Sequence, residues 1–215
     1  MQVFYLSSLD KYYKPGATMT VRQLSSTLVN MNHKQLIKEC LKGNGTAQRL
    51  LYQEFAEPML GVCYRYTKSF KDAEDVLQDG FVKVFNSLAS YKYEGELGAW
   101  IRRIMVNTAL NFLKKNKRYQ DELVFTDNYL HPVTNQDPAV LIDAKQIAGL
   151  IRQLPAGYQT IFNLHAIEGY THVEIGEMLG INDSTSRSQY ARARALLISW
   201  IEKHSEDKKR NYVRK

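Results

Sequence analysis

A chain of 215 residues with 44% apolar and 24% charged side chains fits one or two soluble domains. Its formal charge of +7 is unevenly placed: +2 over residues 1–30, +6 over residues 31–118, −4 over residues 119–137 and +3 over residues 138–215. Two basic modules joined by an acidic strap suit a protein that touches DNA twice. The five histidines form no HExxH pair, and neither a GxSxG elbow nor a GxxxxGK[ST] loop occurs, so enzymatic chemistry, a bound metal and a cofactor are not expected.

In chain order, residues 1–30 show no basic amino-terminal region, no long apolar run and no structural period. They are neither a signal peptide nor a membrane span, which points to a cytoplasmic protein with no membrane insertion. They are read as a disordered leader or a misassigned start, with Met31 as the alternative initiator. Cys40 and Cys63 lack CxxC spacing and stand in helical surroundings, which predicts reduced, partly buried thiols.

Ala73, Val76, Leu77, Gly80, Phe81, Val84 and Leu88 trace a wide apolar stripe that predicts one long helix from Phe70. On its opposite side Asp72, Asp75, Asp79, Val82 and Asn86 form a line, with Glu74 and Gln78 alongside. Clustered carboxylates around an apolar spot suit docking onto a protein; a plain solvated acidic face is the other reading. Next comes a glycine-containing loop, Tyr91 to Gly98, where Tyr91 and Tyr93 offer rings for stacking on an unpaired base. Trp100 is assigned to the core. A second helix, Gly98 to Lys115, has Ile101, Ile104, Met105, Thr108 and Phe112 on one side and Arg103, Asn107, Leu110 and Lys114 in line on another. The basic line suits phosphate and base contacts, or simply complements the helix dipole at its carboxyl end.

Residues 119–137 hold four acidic side chains, no basic ones and no helical period, and are read as a flexible linker. Fully extended, 19 residues reach about 65 Å, which with two compact domains spans two DNA sites about 70 Å apart without dimerisation. A monomer follows.

Tyr170 to Leu197 reads as two short helices around a tight turn, the layout of a helix-turn-helix DNA reader. Ile175 and Leu179 lie four residues apart on the first helix, Gly180 permits the turn, and Asn182 or Asp183 can cap the second helix. Ser186, Tyr190, Ala193 and Leu197 face inward. Ser184, Arg187, Ser188, Ala191 and Arg192 face outward, flanked by Gln189 and Arg194. An ordinary helical hairpin is the alternative.

The run Asp72-Ala73-Glu74-Asp75-Val76-Leu77-Gln78-Asp79 with Phe81, followed by Ala99-Trp100-Ile101 with Ile104 and Asn107, resembles region two of the extracytoplasmic-function group of bacterial sigma factors. Leu154-Pro155 with Tyr158 and Phe162, Tyr170, Glu174-Ile175, and Thr185-Ser186-Arg187-Ser188-Gln189 with Arg192-Ala193-Arg194 are similar to that family's region four. Departures are Ser186 and Tyr190 where inward aliphatic residues are commoner, Gln189 where arginine is common, and Asn111 for a frequent aspartate.

The resemblance implies an all-α chain of two small helical domains joined by a flexible linker. Residues 31–118 correspond to region two, 119–137 to the linker, 138–205 to region four, and 206–215 to a basic tail. It implies that Asp72, Glu74, Asp75, Gln78, Asp79 and Val82 dock on core RNA polymerase, and that Tyr91, Tyr93, Arg103, Asn107 and Lys114 hold the melted minus-ten element of promoter DNA. Ser184, Thr185, Arg187, Ser188, Gln189, Arg192 and Arg194 would contact the minus-thirty-five duplex. An acidic linker near the polymerase's RNA exit path and an anti-sigma partner are also implied. The competing function is a free-standing helix-turn-helix regulator that acts without polymerase.

Overall fold

Helix-forming stretches with one buried stripe dominate the chain, and the computed structural model describes residues 32–115 and 144–213, with side chains through residue 203 in the last helix. Among the described residues there are eight α-helices and no strand: α1 (His33–Leu41), α2 (Gly45–Tyr66), α3 (Phe70–Ser87), α4 (Leu97–Lys115), α5 (Ala144–Gln153), α6 (Ala156–Phe162), α7 (His172–Leu179) and α8 (Asp183–Val213). A 3-10 turn, Leu88–Ser90, follows α3, and a π-helical turn, Asn163–Ile167, follows α6. The leader and the linker lie outside the described residues. α8 continues to Val213, through most of the stretch read as a basic tail.

The chain falls into two compact units that share α2, α3 and α4. The first takes residues through Leu60 together with Leu77–Met105, and the second takes Gly61–Val76 together with Val106 onward. In the first unit, Asn32 caps α1 by accepting a hydrogen bond from the Gln35 amide, and Leu36, Ile37 and Cys40 are buried from that helix. Leu51 of α2, Leu77, Phe81 and Val84 of α3, and Ile101 and Met105 of α4 are buried as well. Gly80 lets α4 approach, because a Cβ there would lie 2.2 Å from the Met105 sulfur. Every member of the stripe expected on α3 is buried.

In the second unit, Leu150, Ile151, Leu154 and Tyr158 pack against Ala193, Leu196 and Leu197 of α8. The last carbonyls of a helix have no partner within it, and those of α2 are taken by side chains of α5, α6 and the π-turn. Arg152 donates to the carbonyls of Tyr64, Thr67 and Lys68, with its guanidinium 3.5 Å over the Tyr64 ring. Gln159 and Asn163 both donate to the Arg65 carbonyl, at 2.9 and 2.8 Å. Arg65 pairs at 3.0 Å with Glu168, whose side chain is only 3% exposed. A buried carboxylate is costly without such a partner.

Cys40 and Cys63 are free and buried, and burial pushes their thiols up to about 11 and about 12, which keeps them protonated at neutral pH. No disulfide and no group of potential metal ligands occurs among the described residues, and no described helix is long and apolar enough to cross a membrane.

Candidate nucleic-acid interface

α3 begins where the Ser69 hydroxyl accepts from the Asp72 amide at 3.1 Å, an N-terminal cap with an acidic residue in the first turn. Beyond it Asp75, Gln78 and Asp79 are exposed, Asp72 and Glu74 are half-buried, and Val82 is 54% exposed at the end of the line. The six residues therefore form one continuous polar strip with an apolar tip. Phe70, also exposed, adds a second large apolar side chain at the head of this helix; the helical pattern alone marks it only as a start.

The loop between the 3-10 turn and α4 separates its two tyrosines. Tyr91 is buried: its hydroxyl donates to the Gly95 carbonyl at 2.8 Å, and its ring packs on Tyr93 and Trp100 at 5.1 and 5.4 Å between centroids. Its ring is committed to the loop's own core and does not stand open for a base, so the stacking role expected of Tyr91 is corrected. Tyr93 is 45% exposed, with the Lys34 ammonium 5.8 Å from its ring centre. It holds a left-handed backbone, φ 61°, a conformation that costs a residue with a side chain about 1 kcal/mol. Trp100 is half-buried against Tyr91, in line with a core role.

Along α4, Arg103, Asn107 and Lys114 are exposed, whereas Leu110, placed in the same line from sequence, is buried. The Lys114 ammonium donates to the Met178 carbonyl at 2.8 Å, near the carboxyl end of α7, where a cation complements the helix dipole.

The helix-turn-helix is held by local devices. Thr171 and Glu174 form a reciprocal capping box at the start of α7, and Gly180, φ 73°, closes its end in the left-handed conformation. The turn then packs directly on the helix: a Cβ at Gly176 would lie 2.7 Å from the Ile181 carbonyl oxygen. α8 starts at Asp183, whose carboxylate accepts from the Ser184 amide at 2.8 Å and from Arg187 at 2.6 Å. The Arg187 hydrogen bond, then the Ser184 amide, holds the Asp183 carboxyl below its ordinary range. Both partners are exposed, so Arg187 is readily exchanged onto another anion.

Ser184, Arg187 and Arg194 are exposed, and Thr185, Ser188 and Arg192 half-buried. Ser186 and Ala193 are buried as expected. Gln189 is not on this face. It is fully buried, with neither amide atom hydrogen-bonded, because it lies only about 60° around the helix from Ser186, inside the packed arc. The Ser186 hydroxyl meets His172 Nδ1 at 2.9 Å, a contact between the two helices that the residue pattern does not announce.

Both modules have counterparts among known proteins. Residues 51–119 match the model for Sigma-70 region 2, and residues 144–197 match that for Sigma-70, region 4. The RNA polymerase sigma-H factor of Pseudomonas aeruginosa is 27% identical over 178 residues, covering 78% of this chain and 92% of that protein. The ECF RNA polymerase sigma-E factor of Haemophilus influenzae is 26% identical over 183 residues, covering 80% and 96%. The ECF RNA polymerase sigma factor SigE of Mycolicibacterium smegmatis is 28% identical over 161 residues, covering 73% and 62%.

A helix-turn-helix and a helical region-two module on one chain are the parts of a transcription factor that works with RNA polymerase in promoter recognition. The chain belongs to the sigma-70 family, in its extracytoplasmic-function group. Proteins of this family are transcription factors and not catalytic enzymes.

Proposed function

We propose that the two exposed faces divide promoter recognition between them, with residues 31–118 acting as the region-two module and residues 138–205 as the region-four module. The α3 strip of Asp72, Glu74, Asp75, Gln78, Asp79 and Val82 docks on the largest subunit of core polymerase, carboxylates supplying orientation and Val82 the dry contact. Tyr93 stacks on an unpaired base of the melted minus-ten element, while Arg103, Asn107 and Lys114 hold its backbone and base edges. Tyr91 supports Tyr93 from below. Ser184, Thr185, Arg187, Ser188, Arg192 and Arg194 meet the minus-thirty-five duplex in the major groove, where short residues permit close approach and arginines reach bases or phosphates.

The observation that carries this reading is the exposure of a carboxylate strip on α3 and an arginine-bearing face on α8, each on a helix whose other side is buried. The protein works as a monomer in the cytoplasm, and an anti-sigma partner that covers these faces is the expected form of control. The test is transcription from genomic fragments by core polymerase with and without the purified chain, read by sequencing transcript ends. Defined start sites sharing two upstream elements are expected; no selection of start sites overturns the reading. Duplex binding without polymerase association would identify a free-standing regulator instead.

A further inference from the structure

The inward side of the helix-turn-helix is polar where apolar packing would suffice. His172, first residue of α7, sets Nδ1 2.9 Å from the buried Ser186 hydroxyl of α8. The His165 ring, from the π-turn, stacks on His172 at 4.2 Å and 23°, and Tyr190 of α8 stands edge-on to His165 at 4.6 Å and near His172 at 5.8 Å. The Tyr170 carbonyl lies 2.9 Å from His165 Nδ1 and can only accept, so that nitrogen carries the proton and the His165 ring is fixed in tautomer and orientation. Three segments are thus registered on one another by one hydrogen bond and three rings.

We propose that His172, acting through Ser186 and braced by the His165–Tyr190 stack, is a positioning residue that sets how α8 is presented to the upstream duplex, and that this makes duplex reading sensitive to acid. The inference rests on the reading that α8 meets that duplex.

The charged groups around His172 explain the direction. An imidazolium there would stack on a second imidazole, sit at the positive end of the α7 dipole and face Arg187. Asp183 is the opposing charge, and its carboxylate is already held by Arg187. Burial first, then His165 and Arg187, hold His172 below the ordinary histidine value of 6.5. A histidine lowered in the folded state contributes fully above that value and loses its contribution as pH falls below it toward the folded-state value.

The experiment uses the full chain and a randomised duplex pool enriched on the wild-type protein at about pH 7.5. Acidification to about pH 5.5 adds positive charge and by electrostatics alone tightens DNA binding. The expected result is opposite: retention of the pool falls by about threefold to tenfold. His172→Asn keeps an amide near the position of Nδ1 but cannot titrate, and is expected to bind as wild type at the higher pH and to lose the fall on acidification, holding level or tightening as the remaining histidines gain charge. His172→Phe keeps a ring without the hydrogen bond, and is expected to bind about twofold to tenfold more weakly at both values. A wild-type profile that is flat or rises on acidification, or one that His172→Asn reproduces, overturns the proposal. Ring-nitrogen NMR of wild type and Ser186→Ala judges the link without DNA: the His172 titration and the Arg187 and Ser188 amide signals should move, and unchanged spectra overturn it. Failure of the pool to enrich at all counts against the duplex-reading assignment, and the NMR result then decides the His172–Ser186 link by itself.

Discussion

α3 and the start of α8 each offer one face to a large partner, yet they are backed by opposite chemistry. Behind α3 stand Ala73, Val76, Leu77, Phe81 and Val84, all buried, with Gly80 opened to Met105 of α4. Behind the first two turns of α8 stand Ser186 and Gln189, both buried and polar, with His172 bonded to Ser186 and the His165 and Tyr190 rings packed on His172. Apolar backing positions a helix by volume and tolerates any pH. Polar backing positions it by directional bonds, which sharpens orientation but makes it depend on protonation and on every polar atom finding a partner.

The contrast is most sharply tested on the polar strip of α3, where the largest effect is expected. Asp75→Lys combined with Asp79→Lys places like charge against the polymerase and should weaken association by about a hundredfold or more, with circular dichroism unchanged because both side chains point outward. Loss of the helical spectrum would mean these carboxylates are structural.

Next in size come the two close approaches. At Gly176 the added Cβ meets backbone, the Ile181 carbonyl, which cannot yield without moving the turn; at Gly80 it meets the end of the flexible Met105 side chain. Gly176→Ala should therefore cost about 2 to 3 kcal/mol and Gly80→Ala distinctly less, since overpacking is relieved when a side chain can move and alanine is the better helix former. Thermal melts of both variants check the order, and a reversed order would show that the turn, not the α3–α4 contact, is the yielding one.

On the DNA-facing residues, Arg187→Ala or Arg192→Ala should cost about 1 to 3 kcal/mol of upstream-duplex affinity if the side chain reaches a base, or lower the salt slope by about one if it reaches a phosphate. Tyr93→Ala should cost about 1 to 3 kcal/mol on opened-strand DNA with little loss of fold, whereas Tyr91→Ala should lower the melting temperature first. Filter binding at several salt concentrations and parallel melts separate the two kinds of loss.

The smallest effect distinguishes backing from face within α8. Gln189→Met removes two unpartnered polar atoms from a buried position and should leave stability equal or higher by up to about 1 kcal/mol, with duplex affinity unchanged. A loss of affinity with intact stability would return Gln189 to the reading face.

Much of this was legible in the residues. The long helix expected from Phe70 is α3, Phe70–Ser87, and the helix expected over Gly98 to Lys115 is α4, Leu97–Lys115. Wide apolar stripes and the glycine after Leu179 are local signals that chain connectivity alone imposes. α2 was harder to read, because Pro58 stands inside it and its apolar residues do not keep to one narrow stripe. The π-turn left no signature, since it is one wide turn inserted between α6 and a loop. The capping box of Thr171 and Glu174, which starts α7 one residue before His172, has no counterpart among the expectations from sequence, although its Thr-x-x-Glu spacing is a signal that could have found it.

What the sequence determined by itself was the helical class, the two modules and the direction in which strongly apolar or strongly charged residues face, because burial energy decides those positions regardless of neighbours. What only the tertiary structure decided were the residues at the margins of the stripes. Gln189 went inside, Tyr91 was committed to support while Tyr93 remained open, and His172 found Ser186 fourteen positions away. Each outcome turns on a rotation of a few tens of degrees or a pairing across a turn, and those are set by how neighbouring helices pack, not by any residue's own preference.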